Sequence, residues 1–77
     1  MVEHTIRSAE VQIERKMFFL SLKENPRGRF LRITEMNAAH PAAIIIPATG
    51  LEELVKVLIG MVKADGEIPP GKDPTPV

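Results

Sequence analysis

Four consecutive residues, Asn25-Pro26-Arg27-Gly28, constrain the fold of this chain more than any other short segment. Asn is favoured at the first position of a type I β-turn, Pro presets the backbone of the second, and Gly is favoured at the last. Strand-like runs lie on both sides of the segment, at 17–24 and at 29–35. The sequence therefore predicts a β-hairpin.

The position of the turn also predicts which side chains share a face of the hairpin, because side chains alternate along a strand. The predicted pairs are Glu24 with Arg29, Lys23 with Phe30, Leu22 with Leu31, Ser21 with Arg32 and Leu20 with Ile33. One face is apolar and is predicted to be a core: Phe18, Leu20, Leu22, Leu31 and Ile33. The other is polar and basic but carries two aromatic rings: Phe19, Ser21, Lys23, Phe30, Arg32 and Thr34.

Two further strands and a helix complete the predicted domain. Residues 9–14 alternate apolar and polar, and 43–46 is a short β-branched run stopped by Pro47. Thr49 and Glu52 have the spacing of a capping box, which predicts a helix from Thr49 to Asp65-Gly66. Its apolar residues recur at helical spacing: Leu51, Leu54, Val55, Leu58, Ile59 and Val62. We take 1–66 as one domain and 67–77 as a flexible proline-rich tail without an assigned function.

The small size of the domain predicts a partner chain. A domain of 77 residues buries little apolar surface, and without Cys it has no disulfide to stabilise it. Val57 and Met61 widen the helical apolar stripe beyond what one sheet face needs. We therefore expect a homodimer in which the helix covers a sheet and also meets the second subunit.

Charge and hydropathy bound the partners and the compartment. The net charge is zero, yet cations dominate 15–32, so that an overall neutral chain can carry one positive face. The sequence has no signal pattern and no apolar run approaching the roughly 20 residues of a membrane span. We expect a cytoplasmic protein without a membrane partner.

Phe19, Lys23, Phe30 and Arg32 form the most informative constellation in the sequence. Aromatic rings beside cations on a sheet face suit single-stranded nucleic acid, since bases stack on rings and phosphates pair with charges. The alternative is that the helix or a partner chain covers the rings. Asn25 and Arg27 could present polar groups to a base or phosphate from the turn, or could form a turn and nothing more.

Nothing in the sequence predicts catalysis. His4 and His40 stand in expected flexible segments, far from each other and from paired carboxylates. We predict no catalytic residue, no metal site and no cofactor.

Residues 16–35 closely resemble the core of a repeat of the Pur-alpha family, and 44–54 resemble the end of its sheet entering its helix. The resemblance implies a fold of class α+β, with a four-stranded antiparallel sheet followed by one C-terminal helix (β-β-β-β-α). It also implies that two such PUR repeats intertwine, and the chain looks like the bacterial single-repeat members that pair as homodimers.

The family binds single-stranded, purine-rich DNA and RNA, and the resemblance implies the residues that do so here. It implies contacts from Lys23, Asn25, Arg27 and Arg32, with Phe30 stacking on a base. Phe19 matches a second ring position, which is usually Tyr.

The expected function is therefore binding of single-stranded DNA or RNA in the regulation of transcription or RNA. The rival is a dimeric protein-interaction module that binds an acidic peptide or partner at the same face.

Overall fold

The computed structural model describes residues 2–36 and 39–69. The predicted tail from residue 70 onward, and Asn37 and Ala38 of the predicted loop, lie outside these residues. The elements are strands β1 (His4–Ile13), β2 (Lys16–Asn25), β3 (Gly28–Glu35) and β4 (Ala42–Pro47), a 3-10 turn (Ala48–Gly50) and helix α1 (Leu51–Gly66). The order β1-β2-β3-β4, antiparallel throughout, confirms the predicted sheet and the helix that follows it.

The β2–β3 hairpin has the predicted register, from Asn25 opposite Gly28 to Leu20 opposite Ile33 and beyond. The Asn25 side chain stabilises the turn, since its Oδ1 accepts a hydrogen bond of 2.8 Å from the Arg27 backbone N–H. Gly28 has a φ of 140°, which non-glycine residues rarely adopt. Local turn chemistry therefore determines both the hairpin and its faces.

β1 is longer than the sequence predicted and begins at His4. The expectation of a flexible segment around His4 was wrong, because the backbone there pairs with Glu24 of β2. The register shifts between Thr5 and Arg7, so that a bulge interrupts the alternation that a sequence pattern could show. At the other end of β1, Glu14 enters the turn to β2 with a left-handed φ of 54°.

The predicted helix is present, but its predicted capping box does not form. The N-cap of α1 is Gly50, and no side chain hydrogen-bonds to the first turn. Thr49 lies inside the 3-10 turn, whereas a capping Thr needs an extended backbone just before the helix. The helical backbone thus begins at Ala48, before Thr49, and Thr49 cannot act as the N-cap of α1.

α1 does not pack across its own sheet; among the described residues its main contact is the preceding 3-10 turn. Within the described residues α1 therefore covers neither face of its own sheet. No apolar side chain of the described residues is fully buried. The radius of gyration is 15.1 Å, against about 11.5 Å for a compact domain of this length. The apolar face of the sheet and the apolar stripe of α1 are both left without cover within the described chain.

Candidate nucleic-acid interface

The polar face of the sheet is organised in cross-strand rows that run from β2 through β3 to β4. In the first row Lys23 pairs with Phe30, and Phe30 with Pro47. In the second row Ser21 pairs with Arg32, and Arg32 with Ile45. A third row contains Phe19, Thr34 and Ala43. Since alternate residues of a strand share a face, these rows form one continuous surface.

Ser21 lies at the centre of this surface and is only 2% exposed. Its neighbours along β2 are Phe19 and Lys23, and Arg32 lies opposite it on β3. The small side chain is covered because these three neighbours are much longer. The accessible part of the face therefore consists of the larger side chains around Ser21.

Arg32 and Phe30 stand two residues apart on β3 and interact directly. The guanidinium carbon of Arg32 lies 6.0 Å from the centre of the Phe30 ring, at the outer limit of a cation–π contact. The pair presents an apolar ring and a delocalised positive charge side by side. This combination suits a base and its phosphate.

A shallow pocket of about 370 Å³ opens where the β2–β3 turn meets the polar face. It brings together Asn25, Arg27, Phe30 and Arg32, which are all among the predicted binding residues. Gly28, Arg29 and Ile45 complete its lining. We call this cavity the turn pocket.

The cations of the turn pocket differ in their pairing. Arg29 Nε lies 3.3 Å from Glu24 Oε2, so that Arg29 already has an anionic partner within the chain. Arg27 and Arg32 form no ion pair within residues 2–36 and 39–69. The two guanidinium groups are therefore available to an anion from outside the chain.

Lys23 is placed beside the turn pocket but has an internal partner. Its Nζ lies 3.4 Å from Glu3 Oε1, and its side chain is only 21% exposed. A phosphate that binds Lys23 must displace the Glu3 carboxylate or share the Lys23 ammonium group with it.

Phe19 is set apart from the other predicted residues. It lies four residues along β2 from Lys23, which is about 13 Å of strand. Phe19 pairs with Glu10 and Thr34 and is half-buried. The structure thus does not bring Phe19 and Phe30 into one site.

Sequence reasoning missed Glu3 and Ile45. The run of Ile residues at 44–46 carries no alternation, and only the pairing of Ile45 with Arg32 assigns it to the polar face. Glu3 lies beyond the bulge of β1, where a pattern of alternation cannot be followed.

Other kinds of site have less support. The described residues bring no group of three or more His, Cys, Asp or Glu side chains together that could hold a metal ion. Among these same residues, no helix could span a membrane.

The described chain is an α+β module whose open antiparallel sheet carries rings and unpaired guanidinium groups on one face, a combination that suits single-stranded nucleic acid. Residues 2–74 match the family model described as PurA ssDNA and RNA-binding protein. The chain belongs to this family.

Two curated relatives resemble parts of the chain. Transcription factor Pur-alpha 1 of Arabidopsis thaliana is 48% identical over 44 residues, which cover 57% of this chain and 15% of the relative. Transcriptional activator plp-1 of Caenorhabditis elegans is 39% identical over 66 residues, which cover 80% of this chain and 29% of the relative. The chain thus spans less than a third of the length of either relative.

Proposed function

We propose that this chain binds single-stranded, purine-rich DNA or RNA through the polar face of its sheet, centred on the turn pocket. The observation that carries the proposal is the meeting of the Phe30 ring with two unpaired guanidinium groups, those of Arg27 and Arg32. A base stacks on the ring while its phosphates pair with the guanidinium groups. Duplex bases are inaccessible to such stacking, so single strands are the expected ligand.

Purines are the preferred bases in this proposal, because their larger rings offer more area for stacking on Phe30. Phe19 is a second stacking position farther along the same strand path, and Lys23 and Asn25 add polar contacts beside the turn pocket. Family membership supports the ligand class.

The biological role that we propose is regulation of transcription or of RNA, in the cytoplasm and without a catalytic step. The names of the two relatives, a transcription factor and a transcriptional activator, support regulation. The absence of Cys from the sequence is compatible with a reducing compartment.

We further propose that the binding unit is an intertwined homodimer. The apolar sheet face and the apolar stripe of α1 are both uncovered within the described chain, so one copy buries neither surface. In a pair of copies, the helix of each can cover the sheet of the other, which removes both surfaces from water at once. Exposed apolar residues of α1 available for this role are Val55, Val57, Leu58, Ile59, Met61 and Val62.

Oligonucleotide titrations by fluorescence polarisation test the proposed function. The ligands are a purine-rich single strand, its complement and their duplex, each measured over a range of salt concentrations. We expect the tightest binding to the purine-rich strand, with affinity that falls as salt rises because phosphate contacts release counterions.

A charge-matched pair of variants locates the site in the same titrations. Arg32→Gln should weaken binding and reduce the salt slope, whereas Lys63→Gln on α1 makes the same charge change away from the sheet and should not. Equal affinity for duplex and single strand argues against the stacking surface. Binding of an acidic peptide without binding of oligonucleotides supports the protein-interaction module instead.

A further inference from the structure

Ile45 is a large aliphatic residue on the face that also carries Lys23 and Arg32. It pairs with Arg32, and its side chain therefore shares the face of Arg32 and Phe30. Its neighbours Ile44 and Ile46 pair with Ile33 and Leu31 and lie on the opposite, apolar face. Ile45 is 51% exposed. Because its side chain lies on the face opposite the apolar one, core packing does not require an isoleucine at this position.

The turn pocket gives this exposed residue a defined setting. Ile45 contributes from β4, Phe30 and Arg32 from β3, and Asn25 and Arg27 from the turn. Apolar surface is therefore present on more than one element of the pocket, with polar groups at the end formed by the turn. A nucleobase has matching chemistry, because its two faces are apolar and its edge carries hydrogen-bonding groups.

The polar end of the turn pocket is already oriented. Asn25 Oδ1 accepts the Arg27 backbone N–H at 2.8 Å, which leaves the Nδ2 group of the Asn25 amide as the donor. The free guanidinium groups of Arg27 and Arg32 supply positive charge beside it. A hydrogen-bond donor, positive charge and apolar surface in one cavity match the edge, the phosphate and the base faces of one nucleotide.

We propose that the turn pocket holds one nucleotide of the bound strand, and that Ile45 is a binding residue that contacts its base from β4. The proposal rests on the proposed function and adds to it a fourth strand that contacts the ligand. Ile45 thereby helps to set how much base surface is removed from water at this position.

The test compares two neighbouring isoleucines that lie on opposite faces. Ile45→Thr keeps a β-branched residue in the strand but shortens the apolar side chain. We expect it to weaken binding of a purine-rich single strand about fourfold, the scale for one methylene group no longer buried, with an unchanged salt slope. Ile44→Thr makes the same chemical change and should leave the affinity unchanged at protein concentrations where the chain remains assembled.

A second variant gives a gain rather than a loss. Ile45→Tyr adds a ring beside the same pocket and should tighten binding of the single strand by about fivefold, the lower end of the scale for one base–aromatic stack. A purely structural role for Ile45 predicts no such gain. Thermal melting and sedimentation of each variant accompany the titrations.

The outcomes separate this proposal from the proposed function. If the wild type binds single strands and Arg32→Gln weakens that binding, but both Ile45 variants bind as the wild type does, the role of Ile45 is overturned and the proposed function stands. If Ile45→Thr shifts the monomer–dimer equilibrium and leaves affinity unchanged, Ile45 belongs to an interface between copies and the proposal is overturned. If the wild type binds no oligonucleotide, both proposals are overturned.

Discussion

Lys23 and Glu3 form an ion pair on the polar face, with 3.4 Å between Lys23 Nζ and Glu3 Oε1. The carboxylate occupies the place that a phosphate oxygen would take beside the same ammonium group. The pair involves partly exposed side chains, so its own contribution to stability is small. Its larger consequence concerns binding, because Glu3 both neutralises Lys23 and repels an approaching phosphate.

Replacing Glu3 with Gln should therefore raise the affinity for single-stranded oligonucleotides. The amide keeps the shape of the side chain but removes the negative charge, and Lys23 becomes free for a phosphate. We expect the salt slope to steepen by roughly 0.7, the value for one phosphate contact on a single strand. Polarisation titrations across salt concentrations measure both quantities.

Two variants control this experiment. Glu67→Gln removes the same charge just after α1 and should leave the salt slope unchanged. The double variant Glu3→Gln/Lys23→Ala should lose the gain in slope. A gain of equal size in Glu67→Gln means that net charge, and not release of Lys23, explains the effect.

Phe30 and Leu31 provide a test of the two faces of the hairpin. Phe30→Ala should cost about 1–3 kcal/mol of single-strand binding, the scale of one base–aromatic stack, with little change in salt slope. The melting temperature of the Phe30→Ala variant should stay near that of the wild type, since Phe30 lies on the polar face. Leu31→Ala, one residue later on the apolar face, should instead lower the melting temperature. If Phe30→Ala instead lowers the melting temperature and leaves the affinity for single strands unchanged, Phe30 is a core residue.

Val57 tests the dimer. Val57 is 45% exposed on α1 within one chain, so Val57→Glu introduces no buried charge unless a second copy covers it. In the proposed dimer the charge is buried and unpaired, which costs several kcal/mol and should weaken association about 100-fold or more. Sedimentation velocity at micromolar concentration measures the association. Lys56→Glu, the neighbouring helical position, should remain dimeric, and a monomeric wild type rules out the dimer.

Glu14 occupies a left-handed backbone conformation in the turn between β1 and β2, with a φ of 54°. This conformation costs most residues roughly 1–2 kcal/mol, but Asn tolerates it better. Glu14→Asn should therefore stabilise the fold by about 0.5–1 kcal/mol in chemical denaturation. Glu14→Gln removes the same charge, but Gln does not tolerate the left-handed conformation as Asn does. This variant should therefore leave stability unchanged. Equal stabilisation by both variants attributes the effect to charge.

Much of the polar face was predictable from local chemistry. The turn at Pro26 and Arg27 sets the hairpin register, and alternation then assigns Phe30 and Arg32 to one face. Ile45 escaped prediction because three consecutive isoleucines carry no period of two. Glu3 escaped because the bulge between Thr5 and Arg7 breaks the alternation before it.

The helix shows the limit of sequence patterns more clearly. Its presence and its end at Gly66 follow from apolar spacing and from the Asp65-Gly66 signal. The placement of α1 away from its own sheet does not follow, because an amphipathic stripe indicates that a surface must be covered and carries no information about what covers it.

By itself, the sequence determined the β2–β3 hairpin, its register and the polar-face residues of these two strands, because turns and alternation act over a few neighbouring residues. Only the tertiary structure decided that Arg27, Arg32 and Ile45 meet at one pocket, that Lys23 is paired with Glu3, and that α1 leaves its sheet uncovered. These relationships join residues distant along the chain. They depend on how a bulge shifts one strand and on where a helix leaves a sheet, and no local pattern encodes either.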